Sequence, residues 1–170
     1  MNKEMFISEV LPVKNKLFRF ALRLLNNEDD AKDVVQEVFI RVWNSREKLK
    51  EIQNLEAWCM RITKNIALDK MKSSYYKNTG GLENHNHILS SEETPYQTTM
   101  VNDTIINIQN LISGLPEKQR DVIQLRDIEG YSYKEICEIL TLDMSQVKIN
   151  LFRARQTLKD LIVKKESYGL

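Results

Sequence analysis

Helical periodicity runs along this chain on both sides of one interruption, and the interruption constrains the fold more than any other feature. Over residues 77–99, KNTGGLENHNHILSSEETPYQTT, only Leu82, Ile88, Leu89 and Tyr96 are sizeable apolar groups among 23 positions. That is too little to bury a face, so the segment reads as a flexible linker. Elsewhere apolar residues recur at three- and four-residue spacing. The expected architecture is all-α: a helical bundle over residues 1–76, a linker over 77–102, and a second small helical domain over 103–170. A length of 170 residues is compatible with two small domains. Five Gly and three Pro are too few for a turn-rich sandwich or a Gly-rich phosphate cradle. No apolar run approaches the roughly 18–20 residues of a membrane span. The opening MNKEMFISEV lacks the basic start and apolar stretch of a secretory signal. Cys59 and Cys137 fall on separate apolar faces, so burial as small hydrophobes is expected, with neither a disulfide nor a paired-cysteine metal site. A cytoplasmic protein follows.

In the first domain, Pro12 opens a helix with Val13, Leu17, Phe20, Ala21 and Leu24 on one stripe. Asn26 and Asn27 punctuate it, and Asn27 can cap the next helix, with Asp30 three residues on. That helix aligns Ala31, Val34, Val35, Val38 and Val42. A third runs from about Asn54 to about Tyr75, with Leu55, Trp58, Cys59, Ile62 and Ile66 inward. After the linker, one helix ends at Ser113-Gly114 and another runs from Pro116 to before Gly130. A capped pair follows: Ser132 and Glu135 have capping-box spacing before one helix, and Asp143 and Gln146 before the last.

The formal net charge of +1 hides an asymmetry. Residues 26–37 hold five acids against Lys32, whereas residues 145–165 hold six bases against Asp160, which suggests two different partners. The pair of helices at 132–140 and 144–163 is a helix-turn-helix candidate. At about 100° per residue, Val147, Leu151, Ala154, Leu158 and Leu161 point inward. Ser145, Gln146, Ile149, Phe152, Arg153, Gln156 and Lys159 point outward. Most short-turn helix pairs bind no DNA, but a merely solvated face has no reason to show Ile149 and Phe152 beside Arg153. In a major groove, Arg and Gln read base edges and apolar groups meet thymine methyls. Lys148, Arg155 and Lys159 would meet phosphates on the flanks, Arg155 serving local packing instead if not phosphate.

The acidic helix shows Asp33, Gln36, Glu37 and Ile40 on its outer face. Such acids are often only solvated, but an aliphatic among them suits a protein interface. Residues 54–72 interleave Trp58 with Arg61, Lys64, Asn65, Lys70 and Lys72, a composition suited to single strands, although the phase of Trp58 places it in the core. His85 and His87 invite a metal or nuclease reading, yet no acid or cysteine stands at ligand spacing. No nucleophile, base and orienting group assemble, so no reaction, cofactor or small-molecule substrate is expected, and the chain is read as no enzyme.

Taken together, DAKDVVQEVFIRVW, AWCMRITKNIALDKMKS, LPEKQRDVIQLRDIEGYSYKEICEIL and QVKINLFRARQTLKDL resemble the bacterial RNA polymerase sigma factors of the extracytoplasmic-function group. These are the small members that keep only the second and fourth sigma regions. The resemblance covers nearly all but the linker and the ends. It implies that the helix of Asp33, Gln36, Glu37 and Ile40 docks on the clamp helices of the polymerase's largest subunit, with the flap as a further contact. It implies that Lys48–Lys72, with Arg61, Lys64, Asn65 and Lys72, captures the −10 element, a flipped base entering a loop at about Leu49 to Asn54. It places Ser132 and Tyr133 near phosphate, and Gln146, Lys148, Ile149, Phe152, Arg153, Arg155 and Lys159 at the −35 element. It also implies an anti-sigma partner and a monomer outside the holoenzyme. Three departures stand out: Cys137 follows Ile136 where a small residue is usual, Asn150 replaces a frequent Arg or Ser, and Thr141 occupies the turn usually given to Gly. A Thr there is expected to avoid positive φ.

Rivals from other classes remain open. A stand-alone repressor would need a dimerisation helix to match two half-sites, and none is evident. A decoy that only titrates an anti-sigma protein would have lost its basic face. A nuclease would need a metal site in the linker.

Overall fold

The computed structural model describes residues 3–78 and 108–167. Apart from Lys77 and Asn78, the expected linker, with His85 and His87, lies outside the described residues. Among those described, every regular element is helical. The chain divides into two compact units, the first holding the helices up to Asn78 and the second most of the chain beyond.

The first unit contains α1 (Lys3–Glu9), a 3-10 turn (Leu11–Val13), α2 (Lys14–Leu25), α3 (Glu28–Asn44), a second 3-10 turn (Lys48–Glu51) and α4 (Leu55–Asn78). Pro12 sits in the first 3-10 turn, not in the helix it was expected to open. The consecutive asparagines divide two jobs. Asn26 ends α2 with φ 50°, its N–H bonded to the Leu22 carbonyl at 2.8 Å. Such a left-handed cap is tolerated by Asn better than by most residues. Asn27 starts α3, its side chain accepting from the Asp30 N–H at 2.9 Å, and Asn54 does the same for the Ala57 N–H at 2.9 Å. Losing such a cap typically costs about 1 kcal/mol.

These caps aim three stripes at one core: Leu17, Phe20 and Ala21 of α2, the expected Ala31, Val34, Val35, Val38 and Val42 of α3, and α4. The phase of α4 differs from expectation. Cys59 and Ile66 are buried, but Leu55, Trp58 and Ile62 are only half-buried, while Ala57, Met60, Thr63 and Ala67 take inner positions. Small residues let α4 approach α2 and α3 closely, and Thr63 Oγ1 donates to the Cys59 carbonyl at 2.9 Å, so its hydroxyl is satisfied in the core. The short α1 adds Phe6, whose ring meets Phe39 and Trp43 of α3 edge-on. Periodicity had given no sign of α1.

In the second unit, residues 108–113 are helical (α5), followed by α6 (Glu117–Ile123), which runs on as a π turn (Gln124–Ile128), then α7 (Tyr133–Leu140) and α8 (Met144–Ser167). Ile112, Leu115, Val122, Ile123, Leu125, Tyr131, Ile136, Val147, Leu151 and Ala154 are buried. Both expected capping boxes form reciprocally. Ser132 N–H donates to Glu135 Oε2 at 2.7 Å while Glu135 N–H donates to Ser132 Oγ at 3.2 Å. Gln146 N–H donates to Asp143 Oδ1 at 2.7 Å while Asp143 N–H donates to Gln146 Oε1 at 3.2 Å.

Three expectations are corrected. Thr141 does not avoid positive φ: it adopts φ 56°. It is the left-handed residue that ends α7, and the Leu142 N–H closes the cap on the Cys137 carbonyl at 3.2 Å. The tight turn demands this backbone, and the sequence meets the demand without glycine. Leu161 is 37% exposed and Leu158 half-buried, because Ala154 is the last buried position and no described element covers the final turns of α8. Cys137 is half-buried, on the shoulder of a stripe centred on Ile136.

Candidate functional site

The second unit presents one face built by α8. Burial of Val147, Leu151 and Ala154 turns the opposite side outward, where Ile149 is 47% and Phe152 69% exposed. Lys148, Arg153 and Lys159 are also exposed. None of these three cations has an ion pair or hydrogen bond among the described residues. Exposing apolar groups between unpaired cations is unfavourable in water and suited to a partner with both methyl groups and negative charge. Gln146 is partly committed, since its Oε1 closes the capping box and only its amide NH2 is left to donate. Asn150 folds back onto the Gln146 carbonyl at 2.8 Å. The Ser132 hydroxyl accepts from Glu135 and keeps its own proton to give. Tyr133, Lys148, Leu151, Phe152, Arg155, Gln156 and Lys159 line an open groove of about 310 Å³ along this face.

Arg155 stands apart from the other bases. Its Nε donates to Asp127 Oδ2 at 3.0 Å and its Nη2 to Asp127 Oδ1 at 2.5 Å, a two-point grip from the π turn. That hydrogen bonding, with a smaller contribution from Tyr133, raises the guanidinium pKa further above its usual value. The neighbouring Arg126 lies over the Tyr133 ring, 5.0 Å from its centroid, and donates to the Tyr131 carbonyl at 2.8 Å. The π turn widens the helix, with Glu129 N–H reaching Gln124 O at 3.0 Å, and Gly130 at φ 81° then turns the chain. Arg126 thus engages the first helix of the pair and Asp127 the second. Sequence spacing gives no sign of either: Asp127 and Arg155 are 28 residues apart, and Arg126 reaches Tyr131 and Tyr133 only across the turn that follows the π turn.

On the first unit, α3 turns Asp33, Gln36, Glu37 and Ile40 outward as expected, and Ile40 is 59% exposed. Both acids have partners. Glu37 pairs with Arg41 one turn on. Lys70 of α4 pairs with Asp33 at 3.2 Å and Asp30 at 2.8 Å. The Asp30 hydrogen bond is the largest of several causes that raise the Lys70 pKa. Exposed pairs of this kind contribute about 0–1 kcal/mol, so they order the acids without holding the fold together. Of the basic set on α4, Arg61, Asn65 and Lys72 are exposed with no partner among the described residues, and Lys64 is half-buried. The loop at Leu49–Asn54 begins as the 3-10 turn and ends at the cap of α4. Among the described residues no group of acids, cysteines or histidines could hold a metal, and no helix is long and apolar enough to cross a membrane.

Comparison with known proteins agrees with this division. Residues 10–75 match the family model for Sigma-70 region 2 and residues 105–158 the model for Sigma-70, region 4. The chain is 32% identical over 154 residues to the ECF RNA polymerase sigma factor SigE of Mycolicibacterium smegmatis, covering 90% of this chain but 60% of that protein's length. It is 31% identical to the ECF RNA polymerase sigma factor SigW of Bacillus subtilis, covering 86% of this chain and 82% of SigW. Among solved structures, the fold is similar to the sigma factor RpoE in complex with the anti-sigma factor NepR from Bartonella quintana. There the TM-score is 0.73 at 24% identity, over 92% of this chain and 96% of that one. It is also similar to CnrH in complex with the cytosolic domain of CnrY, with TM-score 0.68 at 22% identity, over 96% and 90%.

Proposed function

The chain belongs to the extracytoplasmic-function RNA polymerase sigma factors, transcription initiation factors that direct core polymerase to promoters, and from that premise we propose which residues carry each step. The outer face of α8 reads the −35 element in the major groove. Lys148, Ile149, Phe152 and Arg153 lie at base edges, Gln146 offers its amide NH2, and Ser132, Tyr133, Arg155 and Lys159 meet flanking phosphates. The carrying observation is Phe152, 69% exposed between cations that have no partner among the described residues, on a helix whose opposite side buries Val147, Leu151 and Ala154. Arg61, Lys64, Asn65 and Lys72 of α4 hold the opened −10 strand, its backbone attracted by the cations. Asp33, Gln36, Glu37 and Ile40 dock on the clamp helices of the largest subunit, Ile40 as the apolar centre of an acidic rim.

In this reading residues 1–76 form the docking and −10 domain, 77–102 the tether and 103–170 the −35 domain. The protein acts in the cytoplasm, catalyses no reaction of its own, and is a monomer outside the holoenzyme. The similar fold of a sigma factor solved in complex with the anti-sigma factor NepR supports an anti-sigma protein as a further partner. Run-off transcription with purified bacterial core polymerase and the full chain tests the assignment. Templates silent with core alone should give discrete start sites when the chain is added. Phe152→Ala should abolish upstream-element preference. Start sites unchanged by that substitution would remove α8 from promoter reading.

A further inference from the structure

Asp127 presents a puzzle that the assignment of α8 does not resolve. It places a carboxylate beside a groove whose charged lining residues are Lys148, Arg155 and Lys159. A negative charge there weakens attraction to any polyanion, within a Debye length of roughly 8–10 Å in physiological salt. Stability does not explain it. The pair is exposed, with the Asp127 side chain at 35% and the Arg155 side chain at 50%, and exposed pairs contribute little to folding. What the pairing does supply is geometry. Two parallel hydrogen bonds through Nε and Nη2 fix the plane of the guanidinium. Nη1 is the one nitrogen of that group to which no bond from Asp127 is made.

The turn that bears Asp127 is itself braced. Arg126 is tied to the Tyr131 carbonyl and lies on the Tyr133 ring, and Tyr133 borders the same groove. A long cationic side chain in water samples many rotamers, and ordering it on binding opposes affinity. A cation already ordered loses less, and it favours only those backbones whose phosphate falls at its fixed position.

We infer that Asp127 is a positioning residue for promoter discrimination, holding Arg155 in one orientation so that α8 engages a DNA backbone of the right shape at the cost of overall attraction to DNA. The inference rests on α8 being the DNA-contacting helix. It assigns a role to the π turn, which places the carboxylate and braces it with a single dipeptide, Arg126-Asp127. Non-promoter DNA, met in many registers, gains from loose positive charge and is disfavoured by the carboxylate. Promoter DNA, docked in one register by Arg153 and Phe152, gains from the fixed donor.

The test uses holoenzyme assembled from full-length protein and core polymerase, with duplexes carrying the upstream element that the wild type selects from a random library, and scrambled duplexes of equal length. Asp127→Asn keeps the shape and part of the hydrogen bonding but removes the charge. It should tighten binding to scrambled DNA about two- to threefold and lower the selected-over-scrambled ratio by about three- to tenfold, without a lower melting temperature. Asp127→Glu, which can still pair with Arg155, should recover most of the ratio. In an Arg155→Ala background, Asp127→Asn should leave the ratio unchanged, because there is no guanidinium to orient.

A selected-over-scrambled ratio in Asp127→Asn equal to wild type overturns the inference. So does a parallel loss on both duplexes with a lower melting temperature, which marks Asp127 as structural. Phe152→Ala separates this from the broader assignment. If it erases the ratio while Asp127→Asn does not, α8 reads DNA without help from Asp127. If neither alters the ratio, α8 is not the reading helix.

Discussion

Replacing Thr141 with glycine should stabilise the α7–α8 pair, although nothing is added to its packing. Thr141 sits at φ 56°, where the β-carbon of an L-residue crowds the following carbonyl at a cost of roughly 1–2 kcal/mol. Glycine removes that crowding but loses about 0.5–1 kcal/mol more backbone entropy on folding. At the centres of these ranges the difference favours glycine by about 0.75 kcal/mol, provided the cap through Leu142 N–H and the Cys137 carbonyl persists. For a domain of about 60–100 residues this corresponds to a rise in melting temperature of roughly 2–8 °C. The two tryptophans, Trp43 and Trp58, both belong to the first unit, so their fluorescence reports its unfolding alone, whereas far-UV circular dichroism follows both units. Thr141→Gly should raise the dichroism transition and leave the fluorescence transition in place. Thr141→Asn should lie between glycine and Thr141→Ala, since Asn tolerates the left-handed region and Ala does not. If glycine is no more stable than alanine, the positive φ stores no strain and the reasoning fails.

Charge reversal at Asp33 and Glu37 should weaken binding to core polymerase by about tenfold while leaving the melting temperature within a few degrees; unchanged core affinity in a pull-down titration would mark these acids as merely solvated. Arg153→Ala should flatten preference at one upstream base pair by about 1–3 kcal/mol, whereas Lys159→Ala should weaken all duplexes alike and reduce the salt slope by about one. A uniform loss for Arg153→Ala would mean that another side of α8 enters the groove. Burial pushes the Cys59 thiol up to about 12. Its pKa is higher folded than unfolded, so its contribution to stability is complete below the ordinary thiol range and is lost as pH climbs towards that value. At neutral pH, a thiol reagent should label Cys59 only at the rate of unfolding, and rapid labelling in native protein would refute its burial.

The units and their stripes were legible because each local rule pointed the same way. The valine stripe of α3, the Asn27 cap and both capping boxes are set by spacings of three or four residues. α4 was harder. Its inner face mixes Ala57, Met60, Thr63 and Ala67, which apolar periodicity underweights, while Trp58 drew the stripe a little out of phase. α1 is one short helix whose docking depends on Phe6 meeting two rings from α3, a tertiary event with no local signature. The outer face of α8 could be read because its apolar and basic residues violate the expectation for a solvated helix. The grip of Asp127 on Arg155 and the π turn beneath it could not, since they depend on how the chain returns on itself. Thr141 departs from its propensity for a related reason. Propensity describes what a residue prefers, and the tight turn between two helices imposes what it must do.

The division of α8 into a buried side and an exposed side proposed to read promoters has a consequence for how such a protein can diversify. Val147, Leu151 and Ala154 hold the helix to its unit, whereas Lys148, Ile149, Phe152 and Arg153 are exposed. The four outer positions lie outside the buried core, so the fold constrains them far less. With the outer side reading promoters as proposed, a duplicated copy of this gene could drift to a new set of promoters one codon at a time with its fold kept at each step. The inner three positions lack that freedom: any change there is felt first as loss of the protein, before it is felt as a change in what is transcribed.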